Sequence, residues 1–244
     1  MTEEEAQAWL SDQGWWDGPT GDRLRTFVDL VLEEADRQNL ISVGTKASIW
    51  ARHIVDSAQL LTHAVSAQTP ADGLWLDLGT GAGFPGLVIG CLREAPIRLV
   101  EVRPLRVTFL KRCAESLGLD HVEVVQSKVE SARFDRPAAI ISARAYAPLD
   151  RLLTTAHHLA DENTIWLLPK GRSSEKELEI VRPDWQAVFH VEQSVTDAES
   201  AILTVRQLKK RVPVRATDKK PVSSRRNGKR RKAAATSARP KGQS

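Results

Sequence analysis

The sequence is poor in the residues on which cross-linked and metal-built proteins depend. It has two cysteines, Cys91 and Cys113, one methionine and one tyrosine in 244 residues. Two cysteines make no disulfide framework. Both fall in stretches that read as helices flanking a sheet, so they are expected to be buried thiols in a reducing compartment. No Cys/His cluster has zinc spacing, and the adjacent His157 and His158 would face different ways on a helix, so no metal is expected. No uninterrupted run of about 18 apolar residues occurs, which argues against a membrane span. The opening MTEEEAQAWL is acidic, unlike a secretory signal. These absences point to a cytoplasmic protein. Aromatic residues make up only 5%, but seven of them are Trp. Trp9, Leu10, Trp15 and Trp16 are placed to cap a core, among the breakers Gly14, Gly18, Pro19 and Gly21.

Charge is unevenly divided. Of the 35 basic and 31 acidic side chains, 15 basic and one acidic lie in residues 206–244, so that segment carries +14 and the rest −10. A basic tail on an acidic body is a common nucleic-acid feature. Beyond Gln207 apolar residues are sparse, and residues 207–244 are expected to be disordered. Within them, Lys209, Lys210 and Arg211, and then Arg225, Arg226, Lys229, Arg230, Arg231 and Lys232, read as a phosphate anchor that adds salt-dependent affinity without sequence choice, or as a solubilising tail.

The hydrophobic pattern divides the remainder in two. Leu24, Phe27, Val28, Val31, Leu32 and Ala35 recur at three- and four-residue spacing, predicting a helix over 22–38; Trp50, Ile54, Ala58, Leu61 and Val65 predict another over 46–65. Residues 1–70 are therefore read as an N-terminal helical cap. From Leu74 onward strand and helix alternate, the sign of a parallel sheet in an α/β fold. Strands are predicted at 74–78, 97–102, 121–125, 138–142, 164–168, 186–191 and 201–206, with helices at 87–92, 104–117, 149–159 and 173–180. The last two strands are close enough to form an antiparallel hairpin. The core domain is placed at 71–206.

The chain is organised around residues 74–86, LWLDLGTGAGFPG. A short apolar strand runs into glycines at every second position, Gly79, Gly81 and Gly83, and a helix follows. Glycine lets a ligand approach the backbone closely, and open α/β sheets bind ligands at the carboxyl ends of their strands. The string admits two readings. Residues 81–86 match G-x-G-x-x-G, the dinucleotide fingerprint, and would suit a nicotinamide-dependent oxidoreductase. Residues 77–83 match D-x-G-x-G-x-G, the first motif of S-adenosylmethionine-dependent methyltransferases. The second is better placed, since it begins inside the strand with Asp77, whose carboxylate suits the ammonium of an amino-acid ligand. Glu101 ends the next strand, 22 residues after Gly79, where a carboxylate can accept ribose hydroxyls for either cofactor. Val129 and Glu130 follow the third strand, in the loop that borders the adenine in such folds.

The segment after the fourth strand, Ser142-Ala143-Arg144-Ala145-Tyr146-Ala147-Pro148, lacks the Asn/Asp-Pro-Pro-aromatic of adenine-N6 enzymes and the cysteine of cytosine-C5 enzymes. Guanine N7 needs neither: its lone pair is free at neutral pH, and alignment with a sulfonium methyl suffices. A donor on N7 would block attack, so Arg144 is better suited to the cofactor carboxylate, a phosphate or guanine O6. Upstream, Arg52-His53-Ile54-Val55-Asp56-Ser57 places Arg52, His53 and Asp56 on one helix face. They read equally as a structural network or as a wall of the site.

These segments, with Asn39-Leu40, Arg106-Val107, Phe109-Leu110, Gln126-Ser127-Lys128 and Lys170-Gly171, together resemble the bacterial small-subunit ribosomal RNA guanine-N7 methyltransferases, the glucose-inhibited division protein B family. The resemblance covers about residues 22–206. It implies a Rossmann-like class I methyltransferase fold, with a seven-stranded, mostly parallel sheet. It also implies methyl transfer from S-adenosylmethionine to N7 of one guanine in 16S rRNA, in the cytoplasm; the substrate is naked RNA, the 30S subunit or an assembly intermediate, and a monomer is expected. It further implies cofactor contacts from Gly79, Phe84, Val129, Glu130 and Arg144, with Glu101 at the ribose. Two departures stand out: Ala143 separates Ser142 from Arg144, and Leu105 occupies a position that is often lysine. Arg103, Arg106, Lys111, Arg112, Lys170 and Arg172 remain as candidate phosphate contacts, beside Arg52 and His53. The rival from another class is an RNA-binding protein that kept this fold and lost catalysis.

Overall fold

The computed structural model describes residues 1–172 and 174–211. The candidate contacts Arg225, Arg226, Lys229, Arg230, Arg231 and Lys232 lie outside the described residues. So does the segment 212–244, to which most of the disorder expectation applies.

β1 (Trp75–Leu78) is buried at all four positions, as befits a strand covered on both faces. Around it lie β2 (Ile97–Glu101), β3 (Val122–Gln126), β4 (Ile140–Ser142), β5 (Ile165–Lys170), β6 (Trp185–Gln193) and β7 (Ala201–Lys210). The sheet order is β3-β2-β1-β4-β5-β7-β6. The first five strands in that order run parallel, and β7 is antiparallel to both β5 and β6. Strand order reverses between β1 and β4, which is where open sheets of this kind form a crevice.

Alternation along β1 sorts the core into two layers. Trp75 joins the cluster under the N-terminal helices, α5 (Gly86–Leu92) and α6 (Pro104–Ser116). Leu76 and Leu78 join Val100 and Trp166 under α7 (Leu149–Ala156) and α8 (Ser174–Val181). Trp75, Trp166 and Phe27 are among the largest fully buried side chains, and burying a ring of that size contributes about 1.5–3 kcal/mol. Cys91 and Cys113 are buried in α5 and α6, and burial pushes both thiols up to about 12.

Three departures from the sequence reading stand out. The first is in residues 1–21, which contain a helix, α1 (Glu3–Asp12), and the start of α2 (Gly18–Glu34), with Pro19 in its first turn. The Thr2 hydroxyl accepts the Glu5 N–H at 3.1 Å and the Glu5 carboxylate accepts the Thr2 N–H at 2.7 Å, a capping box. Second, the helix expected over 46–65 is three pieces: α3 (Val43–Lys46), a π-helical segment (Trp50–Val55) and α4 (Asp56–Ser66). Glu3 of α1 caps the middle piece, its carboxylate accepting N–H groups from Trp50 and Ala51 at 3.1 and 2.8 Å. Third, β7 runs to Lys210, because Leu208 packs inward and the partner strand continues. Lys209 and Lys210 are thus strand residues opposite Gln186 and Trp185, not part of a tail beginning at Gln207.

Candidate active site

Asp77 is fully buried. Its carboxylate accepts hydrogen bonds from the Thr80 hydroxyl, the Ser142 hydroxyl at 2.7 Å and the Gly86 N–H at 3.0 Å. Ser142 in turn accepts the Trp75 indole N–H at 2.8 Å. Burial raises the Asp77 pKa, and these three donors and the Arg144 charge pull against that. The residue read as a partner for an amino-acid ligand is instead the clasp that shapes the turn and ties β1 to β4. Gly86 is required beside it: a Cβ there would lie 2.1 Å from Leu99 and 2.8 Å from the Asp77 carboxylate.

The turn opens onto a cavity of about 450 Å³ at the carboxyl ends of β1–β3, bordered by Gly79, Glu101, Val129, Glu130, Arg106 and Tyr146. Its volume is in the range of small-molecule sites. Gly79 has φ of +66°, and a Cβ on it would come 2.5 Å from the Tyr146 ring, so only glycine leaves both turn and ring in place. Glu101 is 5% exposed. Its carboxylate accepts N–H groups from Val102 at 2.8 Å, Arg103 at 2.9 Å and Gly81 at 3.1 Å. A carboxylate offers about four acceptor positions, so Oε2, which holds only the Gly81 bond, retains capacity for a hydroxyl. Val129, 3% exposed, supplies apolar surface beside it. A fixed carboxylate, a wall without side chains and an apolar face together fit an adenosyl group.

A second, larger cavity of about 710 Å³ sits beyond β4, at the ends of β4, β5 and β7 and under the N-terminal helices. Ala145 and Tyr146 line both cavities. Arg144 forms the inner wall of the larger one. Its guanidinium donates to the Arg52 carbonyl and the Asp56 carboxylate, each at 3.2 Å, and to His53 Nδ1 at 2.9 Å, and it lies 5.0 Å from the centre of the Phe84 ring. Arginine only donates, so His53 Nδ1 accepts and the ring is the neutral Nε2–H tautomer. Nε2 then donates to the Thr45 hydroxyl at 3.0 Å, and that hydroxyl donates to the Ser42 carbonyl at 3.0 Å. Asp56 also accepts from Gln59 and Thr196, each at 3.2 Å, which joins the β6–β7 connection to the same network.

His53 is held well below the usual imidazole range, at about 3, by burial first and then by the charges of Arg144 and Arg52. An ordinary histidine titrates near 6.5. Below that value the unfolded chain binds a proton that the folded chain refuses, so this contribution to stability is complete above about pH 6.5 and is lost as pH falls toward 3. The slope is at most about 1.4 kcal/mol per pH unit. Chemical unfolding of the wild type and His53→Gln between pH 7 and pH 5 checks this. The wild type should lose stability faster on acidification, whereas parallel curves would mean that His53 charges freely.

The structure sorts the sequence candidates by place. Gly79, Glu101, Val129 and Glu130 line the smaller cavity, with Arg103 and Arg106 at its rim. Gly81 contributes its N–H to Glu101. Gly83 is turned toward Leu87 and Phe27 in the core. Phe84 is 3% exposed, stacked on His53 at 4.9 Å between ring centres and packed on Phe27. Arg52, His53, Arg144 and Lys170 meet at the larger cavity. Arg52 is paired with Asp197 at 2.6 Å, and Arg172 with Glu199. Lys111 and Arg112 stand apart on α6, with Arg112 bridged to Glu34 at 2.8 Å. Lys209, Lys210 and Arg211 gather around Glu162 and Trp185, at the end of β7 remote from both cavities. Sequence reasoning missed Tyr146 as the shared wall and Glu177 as a lining residue of the larger cavity. The only tyrosine of the chain, standing two residues after Arg144 in the loop already singled out, was the available signal for the first.

Among the described residues, no group of three or more His, Cys, Asp or Glu side chains could hold a metal ion, and no helix is long and apolar enough to cross a membrane. A family model described as rRNA small subunit methyltransferase G matches residues 21–207. The ribosomal RNA small subunit methyltransferase G of Novosphingobium aromaticivorans is 48% identical over 214 residues, covering 87% of this chain and 92% of that one. The protein of the same name from Zymomonas mobilis is 42% identical over 209 residues, covering 83% and 93%. Among solved structures, a glycopeptide N-methyltransferase complexed with S-adenosyl-L-methionine matches with a TM-score of 0.51 at 13% identity, over 64% of this chain and 94% of that one. At that identity the likeness speaks for the fold alone.

Proposed function

The chain belongs to the rRNA small subunit methyltransferase G family, and from that premise we propose that it transfers a methyl group from S-adenosylmethionine to N7 of one guanine in 16S rRNA. The smaller cavity takes the cofactor and the larger one the base. Family membership sets aside the nicotinamide reading of the glycine string. One observation supports this division of the site: the two cavities adjoin at Ala145 and Tyr146, on either side of the strand-order reversal between β1 and β4.

When bound, the cofactor supplies an electrophilic methyl on a sulfonium. The chain's own residues align and enclose. Glu101 would accept a ribose hydroxyl, the Gly79 turn would let the adenosyl group lie against the backbone, and Val129 would supply apolar surface for the adenine. The attacking N7 already carries a free lone pair, so the transfer requires no general base; His53, neutral with both ring nitrogens engaged, is not one. With the cofactor bound, transfer to N7 would need no proton to move. Holding reactants in line can supply several kcal/mol of the barrier on its own. A base inside a helix cannot be reached, so the target lies in an unpaired or opened part of the RNA. Arg52, on the wall of the larger cavity, and the exposed Arg172 that follows its lining residue Gly171 serve RNA contacts, and Arg103 and Arg106 serve the rim of the cofactor cavity. The working unit is a cytoplasmic monomer acting on the 30S subunit or an assembly intermediate.

The test is transfer of labelled methyl to 30S subunits that lack N7-methylguanine, followed by nucleoside analysis. 7-Methylguanosine is the expected product. Cofactor binding and RNA binding without any transfer would instead favour a binding protein of this fold. The basic segment 212–244 is assigned as a phosphate anchor. Ending the chain at Arg211, so that β7 stays whole, should weaken RNA binding at low salt with a shallower salt dependence, and leave cofactor affinity unchanged.

A further inference from the structure

Lys170 and Glu177 form an ion pair at 2.7 Å in the wall of the larger cavity, with side chains only 10% and 18% exposed. Lys170 ends β5, one strand farther from the cofactor cavity than β4. Glu177 is in the first turn of α8, and its carboxylate also accepts the Leu149 N–H at 2.8 Å. As a device for stability alone such a pair is a poor choice. Removing both charges from water costs about as much as their attraction returns, and apolar side chains would hold the same elements at least as well.

We propose that this pair reads the target base as guanine. The inference rests on the assignment of the larger cavity to the base. Guanine presents an acceptor, O6, beside two donors, N1–H and N2–H. Lys170 is a donor with three N–H bonds, and Glu177 is an acceptor. Placed side by side, they match that edge, the ammonium on O6 and the carboxylate on N1–H and N2–H. Adenine presents a donor and an acceptor in the reverse order and meets like with like. Gripping this edge leaves N7, which lies on the other edge of the purine, without a donor. N7 is then free to face the junction at Ala145 and Tyr146, where the methyl arrives. Arg144, weighed from the sequence as a reader of O6, has its guanidinium committed to Arg52, His53 and Asp56.

The experiment uses 30S subunits reconstituted from 16S rRNA in which the methylated guanosine, located first with the wild type, is replaced by inosine, which lacks only the N2 amino group, or by 6-thioguanosine, which keeps N1–H and N2–H and carries the weakly accepting sulfur in place of O6. The wild type should prefer guanosine over each by about tenfold or more in kcat/KM, the discrimination expected of a paired base-edge contact. In Glu177→Gln the preference over inosine should collapse toward unity, and in Lys170→Met the preference over 6-thioguanosine should fall. Both variants should bind cofactor within about twofold of the wild type, which certifies the fold; if one fails to fold, the other carries the test. Equal wild-type rates on guanosine and inosine, or unchanged preferences in the folded variants, overturn the proposal. Absence of 7-methylguanosine from wild-type reactions on unmodified 30S subunits would instead overturn the reading on which it rests.

Discussion

Replacing Arg144 with methionine is expected to lower turnover by about two orders of magnitude or more, while the cofactor Kd changes by less than about tenfold. The loop that carries Arg144 lines both cavities, and its guanidinium is what fastens that loop to the N-terminal helices: three hydrogen bonds reach the Arg52 carbonyl, His53 and Asp56. The same loop holds Ala145 at a φ of +53°, a conformation that a residue with a Cβ adopts only when its surroundings hold it there. Without the clamp, Tyr146 and the far wall are free to shift, and a misplacement of about 1 Å can cost about a hundredfold in rate. Stability should fall as well. Removing one partner of a buried ion pair costs about 3–5 kcal/mol, and the low end applies because Asp56 keeps Gln59 and Thr196. Lysine should not rescue, since an ammonium cannot reach acceptors on both sides of a planar fork. Single-turnover rates and cofactor titration decide the matter. Near-normal turnover would leave Arg144 with no part in the site.

The second large effect is on cofactor affinity. Glu101→Ala should raise the Kd for S-adenosylmethionine by about ten- to a hundredfold. A hydrogen bond to a charged acceptor contributes about 1.5–3 kcal/mol, and the variant loses both the ribose acceptor and the bond that positions Gly81. Glu101→Gln should be milder, because one carbonyl oxygen can still accept from Val102 and Arg103. Calorimetric titration with S-adenosylhomocysteine reads the effect without turnover. A change of less than about threefold in the alanine variant would remove Glu101 from the ribose position.

What the sequence disclosed divides along a physical line. Strands and their order of appearance were legible because each is a short apolar run between breakers, and the glycine turn was legible because its conformation is local. The end of β7 was misplaced because Lys209 and Lys210 look like tail, and only pairing with Trp185 and Gln186 makes them strand. α1 was missed although Thr2 and Glu5 carry a capping signal, since the tryptophans and glycines nearby suggested irregular chain. The roles of Asp77 and Phe84 were beyond reach. A carboxylate at a strand end reads as ligand-facing, and only the hydroxyls of Thr80 and Ser142, the second 65 positions away, turn it inward. Phe84 likewise becomes a platform for His53 and Arg144 only once the helices close over it. Local conformation could be read from the chain, whereas partners far apart in sequence could not.

The reversal of strand order between β1 and β4 has a practical consequence for engineering. The residues assigned to the cofactor lie almost wholly between Leu74 and Ser131, and those assigned to the base come from the N-terminal helices and from Ile140 onward. Two crossover points, near residues 74 and 139, would therefore make a chimaera that keeps one donor-binding cassette and borrows its substrate half from another methyltransferase. The joints to match include the Trp75–Ser142–Asp77 clasp, the approach of Tyr146 to Gly79, the Phe84 ring against Phe27, His53 and Arg144, and the Arg112–Glu34 bridge. A graft that preserves those contacts should inherit its choice of base from the borrowed half.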